Sequence, residues 1–433
     1  MSGIETDILD LSHDGRGVAR LQGKVVFVRG ALTGERVRLG PVRRHRHYDE
    51  APLQEVLSAS PDRTRPPCPH FGTCSGCVLQ HLAPVAQLEA KQRVLAENLE
   101  RIGKVVPARW LPALADRDWG YRRKGRLSVR FVEKKGRVLV GFREENPRLV
   151  ADLRGCAVLA PPFDTLIEPL AACIRDLAAA RAVAQVEFTR GDEHALLVLR
   201  HLAPLDAADR DRLAVFADAH DLAIWLQPGG VDSIHPLRGT DARTLAYRID
   251  GDAVEIRFQP LDFIQVNAGM NRRMVEQALR LLAPQPHERV LDLFAGLGNF
   301  TLPLARRVTE VAGVEGDAGL VARAQANAVH NGLANVRFHA ADLSLPQRHA
   351  VWARQSWDAL LLDPPRAGAA ALLEDLPGPA TRRVLYVSCH PGSLARDAAA
   401  LVHRHGFRLA AAGVMDMFPH TAHVESMALF ERD

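Results

Sequence analysis

From about Phe263 to the C-terminus, short apolar runs alternate with polar or alanine-rich stretches. Arg289–Phe294, Glu310–Glu315, Val336–His339, Ala359–Asp363 and Arg383–Ser388 read as strands, each followed by glycine, polar or helical sequence. Strand–helix alternation of this kind predicts an α/β fold with a doubly wound parallel sheet. Residues 1–60 have a different texture. Val25–Val28 and Glu35–Leu39 are short β-rich runs, and Gly15, Gly17, Gly23, Gly30 and Gly34 punctuate them as turns. That spacing predicts a small β domain, for which an OB-like barrel is the candidate. Between the two lies a mixed α+β segment. An amphipathic helix is expected at Pro84–Ile102, with strands at Gly125–Val132, Arg137–Phe142, Val186–Phe188, Ala195–Leu199 and Ala223–Gln227. The expected domains are therefore 1–62, 63–262 and 263–433.

Composition bounds the class. A chain of 433 residues exceeds what one core usually supports, about 250–300 residues, so several domains fit. With 47% hydrophobic and 24% charged residues it reads as soluble and globular. No apolar stretch is long enough to span a membrane, and no basic-then-apolar leader opens the chain, so a cytoplasmic protein without a membrane partner is expected. The net charge of +4 permits an anionic partner without requiring one. Placement says more than the total. Arg43-Arg44-His45-Arg46-His47-Tyr48 is one basic run, and Arg122, Arg123, Lys124, Arg126 and Arg130 gather near Trp119 and Tyr121. Basic groups interleaved with aromatics hold phosphates and stack bases, although ordinary charged strand faces share that composition.

There are six cysteines, and three fall within ten residues as Cys68-x5-Cys74-x2-Cys77. In an intracellular chain such a cluster points to metal binding or catalysis rather than disulfides. Cys156 can supply a fourth thiolate. Four thiolates suit zinc or an iron–sulfur cluster alike. Cys173, in the alanine-rich stretch Leu170–Ala180, is expected to be core.

The segment Val290-Leu-Asp-Leu-Phe-Ala-Gly-Leu-Gly-Asn-Phe-Thr301 is a strand running into a Gly-x-Gly turn and a helix. Gly296 and Gly298 let backbone approach a ligand at the helix start. Thr301 stands where a dinucleotide fingerprint has its third glycine, which argues for a nucleoside cofactor without a pyrophosphate. Glu315 ends the next strand, where a carboxylate receives ribose hydroxyls, and Asp342 ends the one after, placed to meet an adenine amino group. This ordered set resembles the class I S-adenosylmethionine methyltransferases.

Asp363-Pro364-Pro365-Arg366 ends the fourth strand and Ser388-Cys389-His390-Pro391 the fifth. Enzymes that methylate adenine amines carry an aromatic after Asn/Asp-Pro-Pro; here Arg366 takes that place and a cysteine has been added. Uracil C5 is a poor nucleophile. A thiolate that adds to C6 turns the ring into an enolate and makes C5 reactive, after which a general base must remove the C5 proton. Cys389 suits the first role, and Glu425, opening a late strand, suits the second. A lone cysteine is more often an inert buried thiol, and a lone glutamate near a terminus a surface group; it is their combination that carries the reading.

These residues resemble the bacterial uracil-C5 RNA methyltransferases over essentially the whole chain. The motifs are Phe263-Ile-Gln-Val-Asn267, Asp292-Leu-Phe-Ala-Gly-Leu-Gly-Asn-Phe300, Asp363-Pro-Pro-Arg-Ala-Gly368, Ser388-Cys389 with Ala395-Arg-Asp397, and His423-Val-Glu425. The resemblance implies Cys389 as nucleophile, Glu425 as base, and Gln265, Phe294, Asn299, Glu315, Asp342 and Asp363 around S-adenosylmethionine. It also implies a [4Fe-4S] cluster on Cys68, Cys74, Cys77 and Cys156. The Cys-x3-Cys-x2-Cys spacing of radical enzymes does not match. Asp14-Gly-Arg-Gly-Val18, Phe27-Val-Arg-Gly30 and Gly34-Glu35 resemble the TRAM domain, an OB-like RNA-binding module. Relatives that act on transfer RNA lack this domain and the cysteines, so 23S ribosomal RNA is the implied partner of a monomeric enzyme. The family usually has Asn and Thr where this chain has His390 and Ser393. Two rival readings are an RNA-binding assembly factor with a non-catalytic methyltransferase domain, and a cytosine-C5 enzyme.

Overall fold

The computed structural model describes residues 3–249, 251, 253–375 and 378–432. Near the N-terminus, strands Ile4–Asp7, Asp10–Leu11, Gly17–Leu21, Lys24–Arg29, Arg36–Leu39, Arg43–Arg44 and Asp49–Ser58 form one sheet. The long strand Asp49–Ser58 is parallel to Lys24–Arg29 in its first half and antiparallel to Arg36–Leu39 in its second, so it joins the two halves of the small domain. Alternating residues face inward, and Ala19, Val26, Val28, Val37 and Leu39 make its core.

The middle of the chain builds a six-stranded sheet in the order Arg137–Gly141, Lys124–Val132, Val183–Arg190, Ala195–His201, Leu222–Gln227 and His235–Pro236. Helices Phe163–Arg175 and Ala207–Ala219 accompany it. Cys173, expected in the core, packs against it at half burial, and its helix ends at Arg175 rather than continuing to Ala180.

The C-terminal sheet has the order Val336–Ala340, Glu310–Glu315, Arg289–Leu293, Ala359–Leu362, Arg383–Ser388, Glu425–Glu431, Arg408–Met415 and Arg109–Trp110. Its first five strands are parallel, and Glu425–Glu431 runs antiparallel to both neighbours. From Arg289–Leu293 the chain winds outward in one direction, then returns to add strands on the other side. The crevice at that reversal, outside the carboxyl ends of the strands, is where such sheets bind ligands.

Two features cross the expected segment boundaries. Strand Arg109–Trp110 extends the C-terminal sheet by pairing with Arg408–Met415. Helix Pro84–Asn98 packs against that same strand and ends in a wider turn, Leu99–Gly103, closed by left-handed Lys104. Its buried face is Gln87, Lys91 and Leu95 while Val85 is exposed, so the inward stripe is partly polar. Leu95 joins the apolar core, while Gln87 and Lys91 bond to the loop that follows that strand. No helix among the described residues is long and apolar enough to cross a membrane.

Candidate active site

The Gly-x-Gly turn leaves strand Arg289–Leu293 with Phe294 in the left-handed region at φ 68°, followed by Gly296 at φ 55° and Gly298 at φ 94°. A non-glycine residue held there stores strain that the surroundings must enforce. Amides of Phe294 and Ala295 both donate to Val314 O, at 2.9 and 3.0 Å, which fixes the turn on the neighbouring strand. A Cβ at Gly296 would enter open space, so the backbone there fronts a cradle free of side chains.

Glu315 closes one side of that cradle. Its Oε2 accepts from Gly296 N at 3.0 Å, and its Oε1 accepts from Gly316 N at 2.7 Å and Asp317 N at 3.1 Å. A carboxylate held by three backbone amides keeps free lone pairs for hydroxyl donors. Asp342 is exposed and accepts from Ser344 N and Oγ; the Ser344 hydroxyl holds its carboxyl below the usual range. Asn299 is committed to its neighbours. It exchanges reciprocal 2.9 Å bonds with Asn271 and accepts from Tyr247 Oη at 3.1 Å. Asp292, wholly buried under the turn, accepts from Thr301 Oγ1 at 2.5 Å, and burial pushes its carboxyl up to about 7. Glycines at positive φ, an amide-braced carboxylate and a backbone face clear of side chains fit a nucleoside-bearing methyl donor.

The second half of the site opens into a cavity of about 1500 Å³. Gln265, Asp363, Arg366, Cys389 and Glu425 line it; Phe294, Asn299, Glu315 and Asp342 do not. Arg123 braces the Gln265 segment from behind, with its Nε donating to Gln265 O at 3.0 Å and its N to Val266 O at 2.8 Å. Asn267 of the same motif is a helix cap, accepting from Met270 N at 3.1 Å.

Cys389 follows strand Arg383–Ser388 directly. Burial, then the negative charges of Glu425 and Asp363, push its thiol up to about 11, while Arg366 draws it down. Burial and the charge of Asp363 hold the Glu425 carboxyl well above the usual range. Burial alone lifts Asp363 to about 7. Three acidic groups thus share one poorly solvated corner, and Arg366 is the cation beside them. His390 and Ser393, the departures from the family pattern, make a cap of their own. His390 Nδ1 accepts from Ser393 N at 3.1 Å at the start of helix Pro391–Ala399. Asp397 ties that helix to the Asp363 loop by accepting from Ala369 N at 2.7 Å and Tyr386 Oη at 2.6 Å.

Cys68, Cys74, Cys77 and Cys156 line the far part of the same cavity. Burial first, then the charges of the other thiols, push Cys77 up to about 12; burial lifts Cys156 to about 11. Among the described residues no three His, Cys, Asp or Glu stand at the spacing of a single ion.

The cavity also gathers Lys91 and Phe418, which sequence reasoning left out, with residues that it had named. Lys91, Trp119, Arg122, Phe418 and His423 line it, and the Phe263 ring is 70% exposed there. The interleaving of Trp119 with Arg122 is visible in sequence. Lys91 and Phe418 carry no local signal.

A family model described as tRNA (Uracil-5-)-methyltransferase matches residues 239–433, and one described as the TRAM domain matches residues 3–39. The chain is 59% identical over 432 residues to the 23S rRNA (uracil(1939)-C(5))-methyltransferase RlmD of Xanthomonas campestris pv. campestris (strain 8004), covering 99% of this chain and 97% of that one. It is also 59% identical over 432 residues, with the same coverage, to the protein of that name from Stenotrophomonas maltophilia (strain K279a). In fold it is similar to the Pyrococcus abyssi tRNA (uracil-54, C5)-methyltransferase solved with S-adenosyl-L-homocysteine. That match has a TM-score of 0.72 at 24% identity and covers 99% of this chain and 100% of the other.

Proposed function

Because this chain belongs to the 23S rRNA (uracil-C5)-methyltransferase family, we propose that it methylates C5 of one uridine of 23S ribosomal RNA, the counterpart of position 1939 in its relatives' names. S-adenosylmethionine supplies the methyl group from a sulfonium centre. The observation that carries the reading is the meeting of Cys389, Glu425 and Asp363 at adjoining strand ends on one cavity wall.

The chemistry assigns a task to each side chain. The Cys389 thiolate bonds to C6 of the pyrimidine, and the electrons of the C5=C6 bond move onto O4. C5 then takes the methyl group. Glu425 as carboxylate removes the C5 proton, the double bond re-forms, and the C6–S bond breaks to return the thiolate. A carboxyl held above its usual range is a stronger base once ionised, which suits the proton step. The guanidinium of Arg366 favours the ionised forms of both groups. A buried uridine cannot be reached in a duplex, so the base must flip out, and the Phe263 ring offers a face to stack it. Gln265, Phe294, Glu315, Asp342 and Asp363 are the residues assigned to the cofactor, with Asn299 supporting them through Asn271.

Incubation with unmodified 23S RNA and methyl-labelled S-adenosylmethionine tests the reading. Label in 5-methyluridine is the expected result; label in cytidine or adenosine would overturn it. The four cysteines Cys68, Cys74, Cys77 and Cys156 are proposed to hold a [4Fe-4S] cluster. The four thiols line one cavity, and Cys77 feels the charges of the other three, which supports the choice. Iron and sulfide analysis of anaerobically purified protein checks it, and zinc in their place would refute it.

A further inference from the structure

We propose that Lys91, with Gln87 one helical turn before it, is a positioning residue: together they hold the segment 416–424 so that Glu425 is presented to a pyrimidine bound at Cys389. The inference rests on the roles given above to Cys389 and Glu425.

Residues 416–424 join strand Arg408–Met415 to strand Glu425–Glu431, and Glu425 is the first residue after them. Wherever the loop settles, the base follows. Helix Pro84–Asn98 supplies the anchors. Lys91 is 2% exposed, and its Nζ donates to Asp416 Oδ1 at 2.6 Å and to Phe418 O at 3.0 Å. Gln87, also buried, accepts from His420 N at 2.9 Å through Oε1, and its Nε2 lies 3.3 Å from His420 Nδ1. Other segments close the clamp. Amides of Val78 and Leu79 both reach His420 O at 2.9 Å, Tyr121 Oη donates to Pro419 O at 3.1 Å, and Trp119 stacks on His420 at 3.9 Å. The loop makes these contacts with parts of the chain roughly three hundred residues away in sequence.

A buried ion pair is weak support for stability, since its desolvation offsets most of its attraction, so a lysine kept there points to another task. The groups that face Glu425 are Asp363 and Cys389 at the ends of the two neighbouring parallel strands, with Arg366 beside them and Lys91 behind. His423 precedes it on the loop. The charge of Asp363 disfavours the carboxylate, while Arg366 and Lys91 favour it. Lys91 therefore sets the position of the base and helps to ionise it.

Elimination needs the C5 proton removed. A base out of place leaves the methylated pyrimidine bonded to the enzyme, which a merely structural defect does not do. The test compares the full-length K91M, K91R, Q87L, K91M/D416N and E425Q proteins on uridine-containing 23S RNA. In K91M and K91M/D416N, kcat should fall about tenfold to a hundredfold with KM for RNA changed less than about twofold. Both should accumulate a denaturant-stable, methyl-labelled protein–RNA adduct, as E425Q should, and the acidic limb of kcat should move to higher pH. K91R should restore turnover in part. Should K91M fail to fold, the double variant, which leaves no unpaired buried charge, and Q87L carry the test. Normal kcat and an unmoved acidic limb in those variants, with E425Q stalled, would overturn the positioning role. Normal turnover by E425Q would remove the base itself, and the proposal with it.

Discussion

Cys389 and Glu425 stand opposite one another across two adjoining antiparallel strands. Ser388 pairs with Ser426 at the end of the shared register, and Cys389 and Glu425 are the residues next to that last pair. Each lies where its strand meets the cavity, so in the proposed mechanism nucleophile and base approach the same ring from neighbouring backbone. The closeness has an electrostatic cost: each negative charge resists the other, and Asp363 resists both.

Replacing Cys389 by Ala should abolish methylation while leaving S-adenosylmethionine binding intact. With RNA carrying 5-fluorouridine, which has no C5 proton to lose, the native protein should form a denaturant-stable adduct and the variant none. Turnover by Cys389→Ala would end the covalent route.

In the proposed mechanism Glu425 works as a carboxylate, and its surroundings raise it well above the ordinary range. Activity must therefore be low when the group is protonated and climb as pH rises through that raised value. The kcat profile should still be rising at pH values where an ordinary carboxylate, near 4.5, has long been ionised. A flat profile there would contradict the assignment.

Asp292 affects stability with the opposite sign to a salt-bridged carboxylate. Its folded-state value is up near 7 against 3.8 for the ordinary group, so the folded protein holds the proton more tightly. Its contribution is intact at low pH and is lost as pH rises from about 4 to 7. Asp292→Asn can still accept from Thr301 and should gain up to about 4 kcal/mol at pH 8, the linkage limit of a three-unit shift. Thermal midpoints of both proteins across pH check this; a difference that does not grow between pH 4 and 7 refutes it.

His390 caps helix Pro391–Ala399 at the position where the family usually has asparagine, a residue type that favours such caps. His390→Asn should leave stability nearly unchanged, whereas His390→Ala should cost about 1 kcal/mol by loss of the cap. Denaturant midpoints distinguish the two, and equal midpoints for His390→Ala and the native chain would show that the cap contributes nothing.

The strands of the C-terminal sheet were legible because their signals are local. Glu310–Glu315 and Arg383–Ser388 fall where apolar runs and the following glycine or polar residues set them, and the positive φ at Gly296 and Gly298 is what the motif demanded. Asn299 was legible only as a motif residue. Its amide is matched by Asn271, 28 positions earlier, and no periodicity reports such a pairing. The helix at Pro84–Asn98 was foreseen, yet its buried face holds Gln87 and Lys91, which bond to a loop from the far end of the chain.

From the chain alone came the chemistry: a thiol and a carboxylate at strand ends, a glycine turn for a nucleoside, and the expectation of a metal centre on four cysteines. Those features depend on residue type and short spacing, which a linear sequence displays in full. Only the folded molecule decided that Glu425 faces Cys389, that Asp363 burdens both, and that Lys91 reaches Asp416 across 325 positions. Such relations depend on sheet register and on water excluded from a packed corner, and both come into being when distant segments meet.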